Sequence, residues 1–382
     1  MALVFQHDVA TCRQDACHAR RLASTKRIAN KMRDLVSILI PAYNAERWIA
    51  GTIESALQQT WKAKEIIVVD DGSRDSTASI VRGFSSLGVK LVTQPNSGAA
   101  AARNRALSLA QGEYIQWLDA DDLLAPNKIT LQLTATESKR TRELLTGPFG
   151  TFFYCYWRAR FQPTALWRNL TPIEWIKARF VNGIWMNPAV WLVSRRLTEL
   201  AGPWDERLSM SGDDDGEYIC RVVAAAEHVR FVPAATSYYR ETDSGSLSGR
   251  RAAGAFDALL LSTRLCIDHL LSLEDSEDTR MACVRLIENR LSYFYPEKPH
   301  LLSQLEHLAT ALGSGQLNLK ESRKYKLIGQ YFGWRYAKLA RNVVSSTKSS
   351  TYRGLDKLLY KMTPANRRTW TQREKSLRLG VC

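Results

Sequence analysis

From Leu35 to about Asn127 the chain alternates short β-branched runs with amphipathic stretches, the pattern of a parallel sheet covered by helices. Val36-Ser37-Ile38-Leu39-Ile40 reads as a buried first strand that stops at Pro41. A helix follows from about Glu46 to Gln59, because Ile49, Ile53, Ala56 and Leu57 recur on one face. Glu65-Ile66-Ile67-Val68-Val69 predicts a second strand ending in Asp70-Asp71-Gly72-Ser73, then a helix capped by Ser73 or Asp75 with Ile80, Val81 and Phe84 turned inward. Val89 to Thr93 predicts a third strand, Gly98 to Ala110 a third helix, and Glu113 to Leu118 a fourth strand. These elements define a doubly wound α/β half-domain.

Between about Glu137 and Val181 the sequence is rich in Trp, Tyr, Phe and Arg and has no clear period. Order resumes from Asn187 through Gly202-Pro203-Trp204-Asp205 and Asp213-Asp214-Asp215 to Tyr238-Tyr239-Arg240, and beyond Arg250 the pattern is helical.

A chain of 382 residues that is 45 % hydrophobic and 24 % charged is long enough for one large core or two ordinary ones, which excludes wholesale disorder. Its 7 cysteines have no repeated spacing, which argues against a disulfide framework and for a reducing compartment. Cys12, Cys17 and His18 lack a second ligand pair for zinc. The first 34 residues are polar and basic without an apolar core of the kind a secretory signal needs, and no apolar run approaches the roughly 20 residues of a membrane span. A cytoplasmic protein is the expectation.

The net charge of +15 is unevenly spread: from Tyr331 onward 12 Lys or Arg face only Asp356 and Glu374. That tail leaves three readings open, a solvated basic face, a contact with anionic membrane lipid, or a nucleic-acid site.

Three of the four strands end in residues that look chemical: Pro41-Ala42-Tyr43-Asn44, Asp70-Asp71-Gly72-Ser73 and Asp119-Ala120-Asp121-Asp122. In open parallel sheets ligands bind outside the carboxyl ends of the strands, so the three should converge on one crevice. Three carboxylates within one turn cost Coulomb energy unless a cation offsets it, and hard oxygen ligands suit Mg²⁺ or Mn²⁺ held jointly with substrate phosphates. A helix N-terminus with extra acids is the competing explanation. Asp71 is placed to accept hydrogen bonds from a base or ribose, or else belongs to a plain strand-to-helix turn. Asn96-Ser97-Gly98 opens an alanine-rich helix whose backbone donors favour an anion, with Arg103 further along as a cation; tight packing of small residues explains the same pattern.

In order and spacing, Pro41-Ala42-Tyr43-Asn44, Val69 to Thr77, Asn96-Ser97-Gly98 with Ala102-Arg103-Asn104, Gly112 to Ile115 and Leu118 to Asp122 together closely resemble family 2 glycosyltransferases of the GT-A fold. The resemblance is strong over Leu35 to Asn127 and moderate over Asn187 to Ser248. It implies a GT-A domain at 35–248, with a nucleotide-sugar half at 35–127 and an acceptor half at 128–248, flanked by a basic extension at 1–34 and a helical basic region at 249–382.

The resemblance also implies roles. Pro41, Tyr43 and Glu46 would border the base and ribose, Asp71 would hold the base, Arg103 would help to fix the nucleotide, Asp119 would contact the ribose or the metal shell, and Asp121 would ligate Mn²⁺ or Mg²⁺ as part of a DXD motif. Asp214-Asp215-Gly216-Glu217-Tyr218-Ile219-Cys220-Arg221 resembles the family's acidic motif, which aligns Asp215 with the catalytic base. A base that deprotonates the acceptor hydroxyl opposite the departing diphosphate predicts inversion at the anomeric carbon. The competing explanation for Asp213 to Asp215 is an acidic first helical turn.

Two departures stand out. Asp214 occupies a place that is usually Glu, and no histidine follows late in the domain as a further metal ligand; His228 lies early, and Arg240 is a candidate for the diphosphate instead. The expected partners are a nucleotide-sugar donor, a glycan or lipid-linked acceptor and anionic membrane at the basic C-terminus. Nucleic acid is not expected, since the tail lacks interleaved aromatics. The alternative is a catalytically silent nucleotide-sugar-binding protein on the same fold. Trp157, Trp167, Trp175, Trp185 and Trp191 fall where the acceptor should sit, although core packing is the commoner use of such rings.

Overall fold

The hydrophobic alternation along the first hundred residues of the expected domain translates directly into structure. In the computed structural model, which describes residues 34–136, 142–242, 254–294, 298–315, 317–318 and 323–363, β1 (Val36–Ala42), α1 (Ile49–Leu57), β2 (Lys64–Asp70), α2 (Thr77–Arg82), β3 (Val89–Thr93), α3 (Ala99–Leu109) and β4 (Tyr114–Trp117) follow in the expected order. The extension at 1–33, with Cys12, Cys17 and His18, lies outside the described residues, as does the end of the tail from 364.

Next come β5 (Leu123–Leu124), α4 (Lys128–Ala135), β6 (Glu143–Thr146), β7 (Phe149–Phe152), β8 (Arg160–Phe161), α5 (Pro172–Asn182), β9 (Val193–Ser194), α6 (Arg195–Ala201), α7 (Asp214–Ala225), β10 (His228–Phe231) and β11 (Ser237–Arg240). The aperiodic stretch therefore holds strands too short to show a period, plus α5, which opens on a Thr171/Glu174 capping box with Pro172 at its first position.

The main sheet has the order β3-β2-β1-β4-β9, parallel except for β9 against β4. The chain reverses its winding between β1 and β4, and the crevice of an open α/β sheet opens at that switch. β1 does not stop at Pro41. Its pairing with β4 ends at Leu39, whose carbonyl accepts from Leu118, so the missing N–H of Pro41 points past the end of β4 and leaves no donor unmade.

Alternation sorts each strand between two cores. Ile38, Ile40, Ile66 and Val68 pack with Ile49, Ile53, Val81, Ile129 and Leu133 on one face; Leu39, Ile67, Val69, Ile115 and Trp117 pack with Ala102, Ala106, Trp175 and Tyr218 on the other. Helices thus cover both faces of a GT-A type α/β fold.

Beyond the sheets lie α8 (Ala255–Leu273), α9 (Glu277–Phe294), α10 (Pro299–Ala311), α11 (Arg323–Phe332) and α12 (Trp334–Met362). Cys266, Ile267, Ile287 and Leu305 from α8 to α10 are buried in the same cluster as Leu39, Trp175 and Tyr218. The helical region therefore completes the second core, and a boundary near 248 falls outside the described residues and separates no core from another. No helix among the described residues is long and apolar enough to cross a membrane.

Candidate active site

Two strand ends are laced together at the crevice. Asn44, at φ 49°, donates its N–H to Ser73 Oγ (2.9 Å) and accepts from Arg74 N–H at Oδ1 (2.9 Å). Ala45 N–H donates to Thr77 Oγ1 (2.8 Å), Glu46 N–H to Asp75 Oδ2 (3.1 Å), and Ser76 N–H to Glu46 Oε2 (2.9 Å). Glu46 thus spends one carboxylate oxygen on the first turn of α2, where negative charge is favourable. Tyr43 stands exposed beside this rim and Pro41 is half-buried below it.

Asp71 is buried, and its two carboxylate oxygens accept from Gln94 Nε2 (2.7 Å), Ser97 N–H (2.9 Å), Asn96 Nδ2 (3.2 Å) and Gly98 N–H (2.8 Å). The backbone donors expected to receive an external anion at Ser97 and Gly98 are met by an internal one. Gly72, at φ 74°, permits this closure, since a Cβ there would lie 2.8 Å from Asn96 N.

The acidic turn after β4 separates into unlike groups. Asp122 is fully buried, accepting from Arg240 N–H (2.9 Å) and Asn187 Nδ2 (2.9 Å). Burial, with the charges of Asp121 and Asp119, pushes its carboxyl well above the ordinary range. Thr52 Oγ1 ties the turn to α1 through the carbonyls of Ala120 and Asp122 (2.9 Å each). Asp121 is half-buried, and burial followed by the charge of Asp119 raises it to about 6 against the opposing pull of Arg240.

Arg103 joins this turn to the later acidic motif. Its guanidinium donates to Asp119 Oδ1 and to Asp214 Oδ2, both at 2.8 Å, while it lies 4.3 Å from the centre of the Trp204 ring. Residues 16 and 111 positions from Arg103 in sequence are thereby set side by side. Asp213 turns the other way: its carboxylate accepts from Arg179 (3.3 Å), Arg290 and Ser262 (2.5 Å) and anchors α7 to α5, α8 and α9. Burial raises Asp213, but the charges of Arg290 and Arg179 outweigh it and hold the carboxyl below its ordinary value.

Asp215, half-buried, accepts from Gly216 N–H at 2.7 Å. Burial raises its carboxyl well above the ordinary range, followed by the charges of Asp214 and Asp213; Asp119 contributes in the same direction, and Arg103 opposes. The packing behind it is close, since a Cβ on Gly216 would meet Arg179 and Asp213 side-chain atoms at 2.2 Å.

The sequence motifs do not mark Tyr239 as a site residue. Burial first, then Asp122, Asp121, Asp119 and Asp215, raise its phenol, so the charges of both acidic segments act on it. Trp185, half exposed, meets it edge-on at 4.8 Å. Trp175 and Trp191 are core residues, Trp167 stacks on Phe231 and Trp157 meets Tyr156 edge-on at 5.4 Å, so of those rings Trp185 is the most exposed. Arg240, a candidate for the diphosphate, is instead packed inward. Its Nε donates to Asp121 O (2.9 Å) and Nη1 to Phe153 O (3.0 Å), between the rings of Trp48 and Phe152.

Among the described residues no group of three or more His, Cys, Asp or Glu forms a ready-made metal cage. Asp119 and Asp121 fit a hard divalent ion in a narrower sense. They are two carboxylates at one strand end, and burial with the charge of Asp119 raises Asp121, so the pair would gain from a dication whose remaining ligands come from phosphate and water.

A switch-point crevice lined by carboxylates on a mixed α/β sheet defines a protein of the GT-A class. Residues 37–155 match the family model described as Glycosyl transferase family 2. The chain's relatives include the UDP-Glc:alpha-D-GlcNAc-diphosphoundecaprenol beta-1,3-glucosyltransferase WfgD of Escherichia coli, 46 % identical over 101 residues, which are 26 % of this chain and 40 % of that one. The putative teichuronic acid biosynthesis glycosyltransferase TuaG of Bacillus subtilis is 41 % identical over 102 residues, 26 % of this chain and 40 % of that one. The chain thus spans two fifths of the length of these relatives. The crystal structure of Staphylococcus aureus TarS 1-349 in complex with UDP-GlcNAc superposes with a TM-score of 0.59 at 17 % identity, covering 80 % of this chain and 91 % of that one, a likeness of fold.

Proposed function

We propose that the protein is an inverting glycosyltransferase that moves a sugar from a nucleoside diphosphate donor to a hydroxyl on a glycan or lipid-linked acceptor, in surface polysaccharide synthesis. One observation carries this reading most: the Arg103 bridge from Asp119 to Asp214, which sets a donor-side carboxylate turn beside a proton-hungry Asp215. The names of the relatives supply the chemical class, a UDP-sugar donor and a diphosphoundecaprenol-linked acceptor in the case of WfgD.

In this reading Pro41, Tyr43 and Glu46 form the rim of the nucleotide pocket. Asp71 shapes its floor through the 94–98 loop, and a base held there would take over one of its four donors. Arg103 positions Asp119 and Asp214 and partly neutralises them. Asp119 and Asp121 would hold Mn²⁺ or Mg²⁺, which when bound supplies positive charge against the departing diphosphate. Asp215 takes the proton from the acceptor hydroxyl; its raised affinity for protons suits it to that transfer. Trp185 and Tyr239 offer a wall of the kind on which sugar faces stack. The site would work beside a membrane, at its cytoplasmic face, with the basic C-terminus in contact with anionic lipid.

Asp215→Asn tests the proposal. The amide keeps shape and hydrogen bonding but cannot accept the proton, so turnover should fall by about 10²-fold or more while UDP-sugar affinity, followed by thermal shift with Mn²⁺, stays within about twofold. Near-normal turnover would move the base elsewhere, and a wild-type chain that binds donor without transferring sugar would establish the silent binder.

A further inference from the structure

The helical hairpin of α11 and α12 carries an outer surface unlike the rest of the molecule. Tyr336, Leu339 and Val343, and one helical stretch later Leu355, Leu358 and Met362, repeat the spacing i, i+3, i+7, and each is half exposed or more. Such a row on a soluble helix normally faces a core. Here it faces outward, and Tyr331 and Phe332 extend it at the end of α11.

The charge on the same hairpin has one sign. From Arg323 to Met362 there are 10 Lys or Arg and a single acid, Asp356. That acid is buried and turned inward, accepting from the N–H groups of Tyr154 (2.8 Å) and Cys155 (2.9 Å) and from Arg158 (3.2 Å). The outer face therefore presents apolar side chains beside the exposed Lys357 and Lys361, on a hairpin whose sequence carries nine more cations than acids.

We infer that α12 is an interfacial helix that lies on an anionic lipid surface and holds the crevice against it. The inference rests on the peripheral membrane contact proposed above and names the element, face and orientation. Charge decides among occupants. A second copy would bring two strongly cationic faces together. Nucleic acid would answer the charge but not the row of Leu, Val and Met. An anionic bilayer answers both, through headgroup attraction and shallow burial of the apolar row.

The inner face fixes the orientation. Leu359 and Tyr360 pack with Phe153, Tyr154 and Trp48, and the Arg160 guanidinium lies 5.2 Å from the Tyr352 ring centre. Trp48 in turn stacks on Arg240, which holds the Asp121 carbonyl. A helix of 29 residues, about 43 Å long, is thus coupled through two layers of side chains to the acidic turn. A lipid-linked acceptor would then meet the site at headgroup level.

The test uses the full chain, sedimented with vesicles of phosphatidylcholine alone or mixed with phosphatidylglycerol, in low and high salt. The wild type should bind only the mixed vesicles. Lys357→Ser with Lys361→Ser should weaken binding by about fivefold per lysine at low salt. Leu339→Ser with Leu358→Ser should abolish the fraction that survives high salt. Donor-induced thermal shifts measured on the same samples should be unchanged, so loss of the donor shift in the wild type would count against the glycosyltransferase reading alone. Wild-type indifference to phosphatidylglycerol would overturn the inference, as would variants that bind like wild type. So would an apolar variant that turns a self-associated particle into a monomer, which would assign the face to a second copy, or displacement of the vesicles by oligonucleotide at equal charge.

Discussion

Three consecutive aspartates occupy three different environments within one helical turn. Asp213 is clamped by Arg179 and Arg290, Asp214 by Arg103, and Asp215 is left with Gly216 N–H and the charges of its neighbours. The consequence is a separation in acid range. If Asp215 is the base, transfer requires its ionised form, so the rate should fall as pH drops through a value well above that of an ordinary carboxyl. Asp213 behaves oppositely: depressed in the fold, it contributes stability above its unfolded value and loses it only as pH falls through its lower folded value. A pH series of sugar transfer should therefore show activity lost while the thermal midpoint is still high. An acid limb that coincides with unfolding would remove Asp215 from this role. That such neighbours differ was invisible in the sequence, because the partners that distinguish them, Arg103, Arg179 and Arg290, lie far along the chain on other helices.

At the level of elements, β1 to β4 and their helices were legible because buried β-branched runs such as Ile66 to Val69 have no other stable use, and because three strand ends carried acids or turn residues. β6 to β8 were not, being strands of two to four residues: β6 pairs with β10, β7 with β11, and β8 only with β7. The helix after Arg250 was expected, but its docking was not. Asp356 reads as a stray acid in a basic tail until the fold places Tyr154, Cys155 and Arg158 around it, some 200 residues away. Asp356→Ala leaves two buried N–H groups without an acceptor, at about 1–3 kcal/mol each in the worst case. The expected outcome is release of α12, seen as new protease cleavage between 334 and 362 with a lowered thermal midpoint; an uncleaved variant would mean the apolar contacts of Leu359 and Tyr360 suffice. Asp71 shows the same limit from the other side. Its position in the motif was legible, whereas its engagement with the 94–98 loop depends on a turn the motif does not encode.

Among the described residues the two large cores differ in reach. The cluster on one face of the sheet draws on residues from Val36 to Leu192, whereas the other draws on residues from Leu39 to Leu312. A fragment ending at 242 would keep the first and leave Trp175, Ile176, Phe180 and Ile219 without the covering residues of α8 and α9. It should refold poorly and bind the dye ANS, while a fragment ending at 315 should give a cooperative melt. A cooperative, dye-free melt from the shorter piece would show that the first core stands alone.

The difference in reach also sets a timetable for synthesis. At about 5–20 residues per second, the stretch from Leu192 to Leu312 takes roughly 6–24 s to translate, and domains fold in the order they emerge. During that interval the nascent chain has one face of its sheet sealed and the other still open, with Trp175 on α5 waiting for α9, the helix that packs against it. Chaperone demand on the ribosome should thus peak after the acidic motifs have been translated, and rare codons between α7 and α10 would lengthen the exposure.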